Sequence, residues 1–196
     1  GIGNRALQSN TTANNNTAVG SNALDQNSTG AQLTAIGVNA SYSNTTADYN
    51  VAVGYNALLT NTTGTQNTAV GSFALEDTTT ASYNTATGYN SLRNNTTGAN
   101  NTALGYSALQ NSTTASNNTA VGYNALVTNT TGTGNNAIGA FSLDANTTGG
   151  NNVAVGNSAL SSNTTGNDNV AIGVGAMEAN TTGINNTAHG YAALSA

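Results

Sequence analysis

The sequence predicts an all-β fold, a parallel β-solenoid (β-roll) with a 17-residue coil and about 11.5 coils stacked into one rod. Three observations predict it. A glycine recurs every 17 residues with no insertion or deletion, from Gly3 and Gly20 through Gly105 and Gly122 to Gly190. An alternating triplet such as Thr119-Ala120-Val121 precedes it, and Ala-Leu follows it, as in Ala125-Leu126. Between copies lies a polar spacer centred on Asn-Thr-Thr-Gly, such as Asn61 to Gly64.

The period itself excludes helical architectures. A helical-hairpin repeat needs about 33 residues or more. One long helix is excluded by the Asn, Thr and Gly content, all poor helix formers. A coil of two short strands and two turns fits the length. In the first strand Thr119 and Val121 alternate with Ala120, the period-2 pattern of an extended chain. The motif glycine then marks a bend, or a place where only hydrogen fits against the next coil. Ala125-Leu126 opens the second expected strand. Asn-Thr-Thr-Gly is turn chemistry, since Asn side chains bond the nearby backbone and Gly accepts positive φ. Coils stacked about 4.8 Å apart give a rod of roughly 55 Å.

The expected interior holds Val121, Ala125 and Leu126, with Thr119 or Ala120 beside them. That is a thin core against an ordering cost of about 1–2 kcal/mol per residue. Two devices compensate. One is ladders of like side chains stacked coil on coil. The Asn before the strand recurs in ten of eleven copies, broken by Leu33, and the second Thr of the spacer in all eleven, from Thr12 to Thr182. The other is self-association, with the small-residue face buried against a second chain, so the sequence predicts a homo-oligomer. Ala13, Gly30, Ala47 and Gly64 begin an alternation with a 34-residue super-period, which reads as duplication of a two-coil segment. The register never breaks, so residues 1–196 read as a single repeat rod without internal boundary, and as a fragment of a longer chain.

Composition removes several function classes. The chain has 2 basic and 7 acidic residues in 196, whereas about a quarter of residues are charged in ordinary domains. Nucleic acid is excluded as a partner, because phosphate neutralisation needs clustered Lys and Arg. With no Cys there is no disulfide framework and no thiolate metal site. No apolar run approaches the roughly 18 residues of a membrane helix, so no membrane insertion is expected.

Asp168-Asn169-Val170-Ala171-Ile172-Gly173 and Asn151-Asn152-Val153-Ala154-Val155-Gly156 resemble the NSVAIG motif of YadA-like heads in trimeric autotransporter adhesins. The whole unit, NTAVGYNAL followed by NTTG, also resembles repeat shafts of phage tail-fibre-like proteins and secreted bacterial fibres. The match to the adhesin heads covers the strand and not the spacer, because their repeats are shorter. The resemblance implies a left-handed roll, three chains around one axis, and a place outside the cell, on its surface or on a virion.

Few residues are free to carry chemistry. Asp25, Glu76, Arg93, Asp144 and Glu178 all follow the Leu position, whose variety predicts an exposed, unconstrained site. Glu76 and Arg93 are one coil apart and are expected to pair. Glu76 and Asp77 are sequence neighbours expected on opposite faces, and the other carboxylates lie coils apart. No glycosidase pair results, and no enzyme, cofactor or metal site is expected. His189 is the single His and reads as a tolerated substitution in the strand. In a trimer three copies would form a ring, the weaker reading. Tyr89, Tyr106 and Tyr123 follow the glycine in successive coils. They read first as mutual packing, and second as a recognition strip for a glycan or cell-surface receptor. Asn10, Asn44, Asn61, Asn95, Asn129, Asn146, Asn163 and Asn180 fit the N-x-[ST] glycosylation sequon. Regular Thr suggests ice binding only weakly, because Thr62 and Thr63 are adjacent in a turn. The expected function is therefore a structural fibre segment. The alternative is a binding module using its repetitive surface.

Overall fold

The computed structural model describes residues 1–195. Eleven strands of three residues form one sheet: β1 (Thr17–Val19), β2 (Thr34–Ile36), β3 (Val51–Val53), β4 (Thr68–Val70), β5 (Thr85–Thr87), β6 (Thr102–Leu104), β7 (Thr119–Val121), β8 (Asn136–Ile138), β9 (Val153–Val155), β10 (Val170–Ile172) and β11 (Thr187–His189). Sheet order equals chain order. All pairings are parallel and offset by one repeat, as in Thr119 opposite Asn136 and Ala120 opposite Ala137. Ile2 adds an isolated bridge to Val19. There is no helix among the described residues. The fold is the predicted β-solenoid.

Two expectations about the coil are corrected. The first concerns the number of strands. Ala-Leu does not open a second strand; the chain after the glycine runs through successive turns. In one coil Ala23 N–H donates to Gly20 C=O (3.4 Å), Asp25 N–H to Asn22 C=O (3.3 Å) and Asn27 N–H to Leu24 C=O (3.2 Å). Asn22 and Leu24 take φ of 59° and 53°, the positive φ that a type II turn needs at its third position. Every residue at the Leu position has positive φ, Ser41 and Met177 included. An L side chain there costs roughly 1–2 kcal/mol. Inter-coil bonds such as Leu24 N–H to Ala40 C=O (3.1 Å) and burial of the Leu side chain offset it.

The second correction concerns which side of the strand faces in. Ala120 is buried and its equivalents fill the middle of every strand, while Val121 and Thr119 point outward. The interior consists of the strand Ala, the Ala-Leu pair and two Asn rows. The strand Ala packs in one buried cluster with the Leu row. Val and Ile are left outside.

The motif glycine has a steric cause. A Cβ on Gly105 would lie 2.4 Å from the carbonyl oxygen of Gly122, and its φ is 139°. The spacer glycine meets the same kind of contact. A Cβ on Gly64 would lie 2.1 Å from the Ala81 carbonyl oxygen. Ala47, Ala81 and Ala115 each stack between glycines, never on one another.

The ladders carry the polar interior. Asn118 N–H donates to Asn101 Oδ1 (3.0 Å), and Asn118 Nδ2 donates to Gly132 C=O (3.0 Å). Its own Oδ1 accepts from Asn135 N–H (2.9 Å). The hydrogen-bonded Thr ladder belongs to the first Thr of the spacer: Thr113 Oγ1 donates to Thr130 C=O (3.2 Å) and Thr130 Oγ1 to Thr147 C=O (3.0 Å). The second Thr, invariant in sequence, is exposed in all eleven copies.

Candidate functional surfaces

The strand face is the largest feature. Thr119 and Val121, with their counterparts on the other strands, form two outward rows running the length of the sheet. The inner of these rows is apolar and open: Leu104 is 48% and Ile138 44% exposed. Beyond the glycine bend runs a third row, with Val38, Tyr55, Tyr106, Tyr123 and Val174 all exposed. His189 is the one residue on the strands with a titratable side chain. It occupies the apolar row on β11 and is exposed. Among the described residues no group of three His, Cys, Asp or Glu stands close enough to hold a metal ion.

The tyrosines form a longer stack than the sequence suggested. Tyr89–Tyr106 and Tyr106–Tyr123 are stacked with ring centroids 5.4 and 5.3 Å apart and interplanar angles of 16° and 14°. Phe73 and Phe141 close the run edge-on at 5.6 and 5.2 Å, and Tyr55 packs on Phe73 at 5.3 Å. The two phenylalanines were missed by the sequence reading. They lie two residues after the motif glycine, in coils where Ser72 and Ala140 replace the expected Tyr, and that compensation was the available signal. The near-parallel tyrosine rings pack on one another coil on coil, and each stays partly exposed.

The sequon asparagines are corrected as glycosylation sites. Asn44, Asn61, Asn95, Asn129, Asn146 and Asn163 are fully buried, and Asn10 and Asn180 partly so. Asn146 Nδ2 donates to Asn129 Oδ1 (2.8 Å) and Gly149 C=O (3.0 Å). Asn61 and Asn163 repeat the pattern. Asn44, Asn95 and Asn129 donate to the carbonyl three residues on, as Asn10 and Asn180 do at the ends. A glycan on any interior Nδ2 would remove a ladder donor and need space the coil lacks.

The position after Leu is also more constrained than expected. Asp25 and Glu76 are buried there. The predicted pair forms, with Arg93 Nε 2.6 Å from Glu76 Oε2. Asn56 Nδ2 donates to the other carboxylate oxygen (3.1 Å), and the guanidinium lies 4.9 Å from the Phe73 ring centroid. Arg5 similarly pairs with Asp25 at 2.9 Å. Burial, then the Glu76 carboxylate, raise the Asp77 pKa, and Arg93 opposes them. Asp77 is therefore close enough to sense its neighbours, but both cations are already engaged by Glu76 and Asp25. These groups clip adjacent coils together. The hollow of about 370 Å³ beside Met177, Asn180, Asn186 and Leu194 is lined by core and ladder residues at the last coils of the stack.

Comparison with known protein families, with curated proteins and with solved structures returns no match to this chain. Functional inference therefore rests on the surfaces themselves.

Proposed function

We propose that the chain is a structural segment of a fibre, outside a cell or on a virion, in which rods associate side by side through the strand face. Identical copies, three in the arrangement that the adhesin resemblance implies, are the occupant. The observation that carries this reading is the outward row of Val, Ile and Leu on nine of the eleven stacked strands, with Thr87 and His189 on the other two. Ten inter-coil steps of about 4.8 Å by roughly 15 Å across the three outward rows give on the order of 700 Å² of outward surface, apolar along its middle row and mixed with Thr, Ser and Asn in the rows beside it. Exposed apolar patches beyond a few hundred Å² mark interaction sites, and a stable interface takes about 800 Å² per partner. The face is nearly free of charge, so little desolvation opposes its burial. No enzymatic role is part of this reading. Sedimentation of the intact chain tests it, with Val121→Lys/Ile138→Lys as the disrupted control. An oligomer that the double variant dissociates supports the reading, and a monomeric wild type refutes it.

One observation favours a second reading. The outward residues of the strands, mostly Thr in one row and Val or Ile in the other, form a two-row lattice, about 4.8 Å by roughly 6.6 Å, of the kind that orders water or ice. The Thr62–Thr63 turn does not offer this, but the strand does. Thermal hysteresis from a monomeric chain would favour it over self-association.

A further inference from the structure

The tyrosine stack, which borders the strand face, also has chemistry of its own. Tyr89, Tyr106 and Tyr123 are the three consecutive tyrosines of the aromatic run, 44%, 48% and 48% exposed. Their near-parallel rings lie 5.4 and 5.3 Å apart by centroid. Each is reachable by a small oxidant, and each has a second phenol in contact. No other tyrosine pair meets both conditions. Phe73 separates Tyr55 from Tyr89. Tyr49 and Tyr83 sit on another row two coils apart, roughly 10 Å. Tyr42 and Tyr191 have no aromatic partner.

We propose that Tyr106 and its two neighbours form an oxidative coupling site, which joins adjacent coils by a dityrosine bond when a one-electron oxidant is present. A haem peroxidase with hydrogen peroxide supplies that oxidant. Two neighbouring phenols each lose one electron to it and one proton to solvent. The two phenoxyl radicals combine by a carbon–carbon bond between ring carbons ortho to oxygen. Each of those carbons then loses its hydrogen as a proton while each oxygen regains one. The net change is two electrons and two protons, which convert one peroxide to two waters. Holding the phenols in contact replaces a bimolecular encounter of radicals with an intramolecular one. Their partial exposure leaves the rings room to rotate from stacked to joined. Tyr106 is common to both junctions, and Phe73 and Phe141 terminate the run because neither carries a hydroxyl. In a rod whose coils contact only their neighbours, such a bond ties together units that otherwise open separately.

The test oxidises the full folded chain in dilute solution with a haem peroxidase and hydrogen peroxide. Readouts are dityrosine fluorescence, the intact mass of the single chain, and peptide mapping of the joined residues. The proposal predicts an intrachain product two hydrogens lighter, joining Tyr106 to Tyr89 or Tyr123. Tyr106→Phe keeps the aromatic stack, verified by an unchanged circular dichroism spectrum, and loses that product. Tyr83→Phe and Tyr191→Phe retain it. An intrachain bond that persists in Tyr106→Phe overturns the proposal, as do bonds confined to pairs between chains. The tyrosine row borders the associating face, so the oxidation is run on the wild-type chain and on the Val121→Lys/Ile138→Lys variant, and the intrachain product is predicted from the variant whatever mass sedimentation reads for the wild type.

Discussion

Ser41 offers a substitution that should strengthen the fold. It stands at the Leu position, is 2% exposed, and its Oγ has no hydrogen-bond partner. One coil away on each side, Leu24 and Leu58 are fully buried at the same position. Its φ of 50° matches their 53° and 54°, so the backbone already suits leucine there. Burying a Leu side chain contributes about 1.5–3 kcal/mol. Removing a buried unpaired hydroxyl contributes about 1–3 kcal/mol more. Ser41→Leu is therefore expected to stabilise by roughly 3 kcal/mol in all. For a chain of this size that corresponds to about 6–12 °C in Tm. Differential scanning calorimetry measures the shift, and hydrogen exchange in the coils around β2 and β3 shows whether the gain is local. A Tm that is unchanged or lower would mean that the coil has closed around serine, the overpacking case. That result would refute the claim that coil geometry is uniform.

Three further perturbations test other parts of the structure. Gly105→Ala places a Cβ 2.4 Å from the Gly122 carbonyl oxygen at positive φ, and a loss of about 3 kcal/mol or more is expected in urea titration. Asn118→Ala leaves the Asn135 N–H without its acceptor at 2.9 Å. It should cost about 2–4 kcal/mol and abolish slow exchange of the Asn135 amide. Burial raises the Asp144 pKa above its ordinary 3.8, against its own and the Ala145 backbone N–H groups. Between the ordinary and the raised value the folded chain holds more protons than the unfolded one, so stability falls as pH rises through that window. Asp144→Asn is accordingly expected to be more stable than wild type at neutral pH, an advantage that disappears below the ordinary carboxylate range. Denaturant midpoints at several pH values measure the difference, and a constant difference across the range would contradict the assignment.

The sequence made the period, the parallel sheet, the Asn ladder and its break at Leu33, and the Glu76–Arg93 pair legible, because each follows from which residue recurs one coil later. The facing of the strand was not legible from alternation alone, which fixes two faces without saying which is inside. The signal was variability. Ala recurs at one position, buried in every strand, while the next accepts Val, Ile, Leu, Thr87 and His189. The missing second strand was hidden because a buried Leu at φ near 52° is an environment that residue type rarely reveals. The sequons misled for a related reason: N-x-[ST] is a surface signal only when the Asn points outward. Here the same side chain turns into the coil and caps the carbonyl three residues on.

Sedimentation equilibrium of the intact chain at neutral pH tests the central claim most directly. If the exposed Val/Ile row is an interface between copies, the mass is a multiple of the 19.3 kDa chain; three chains is the proposed number, and Val121→Lys/Ile138→Lys returns it to one. A wild-type mass of one chain at every concentration, with the β spectrum intact, would contradict the account.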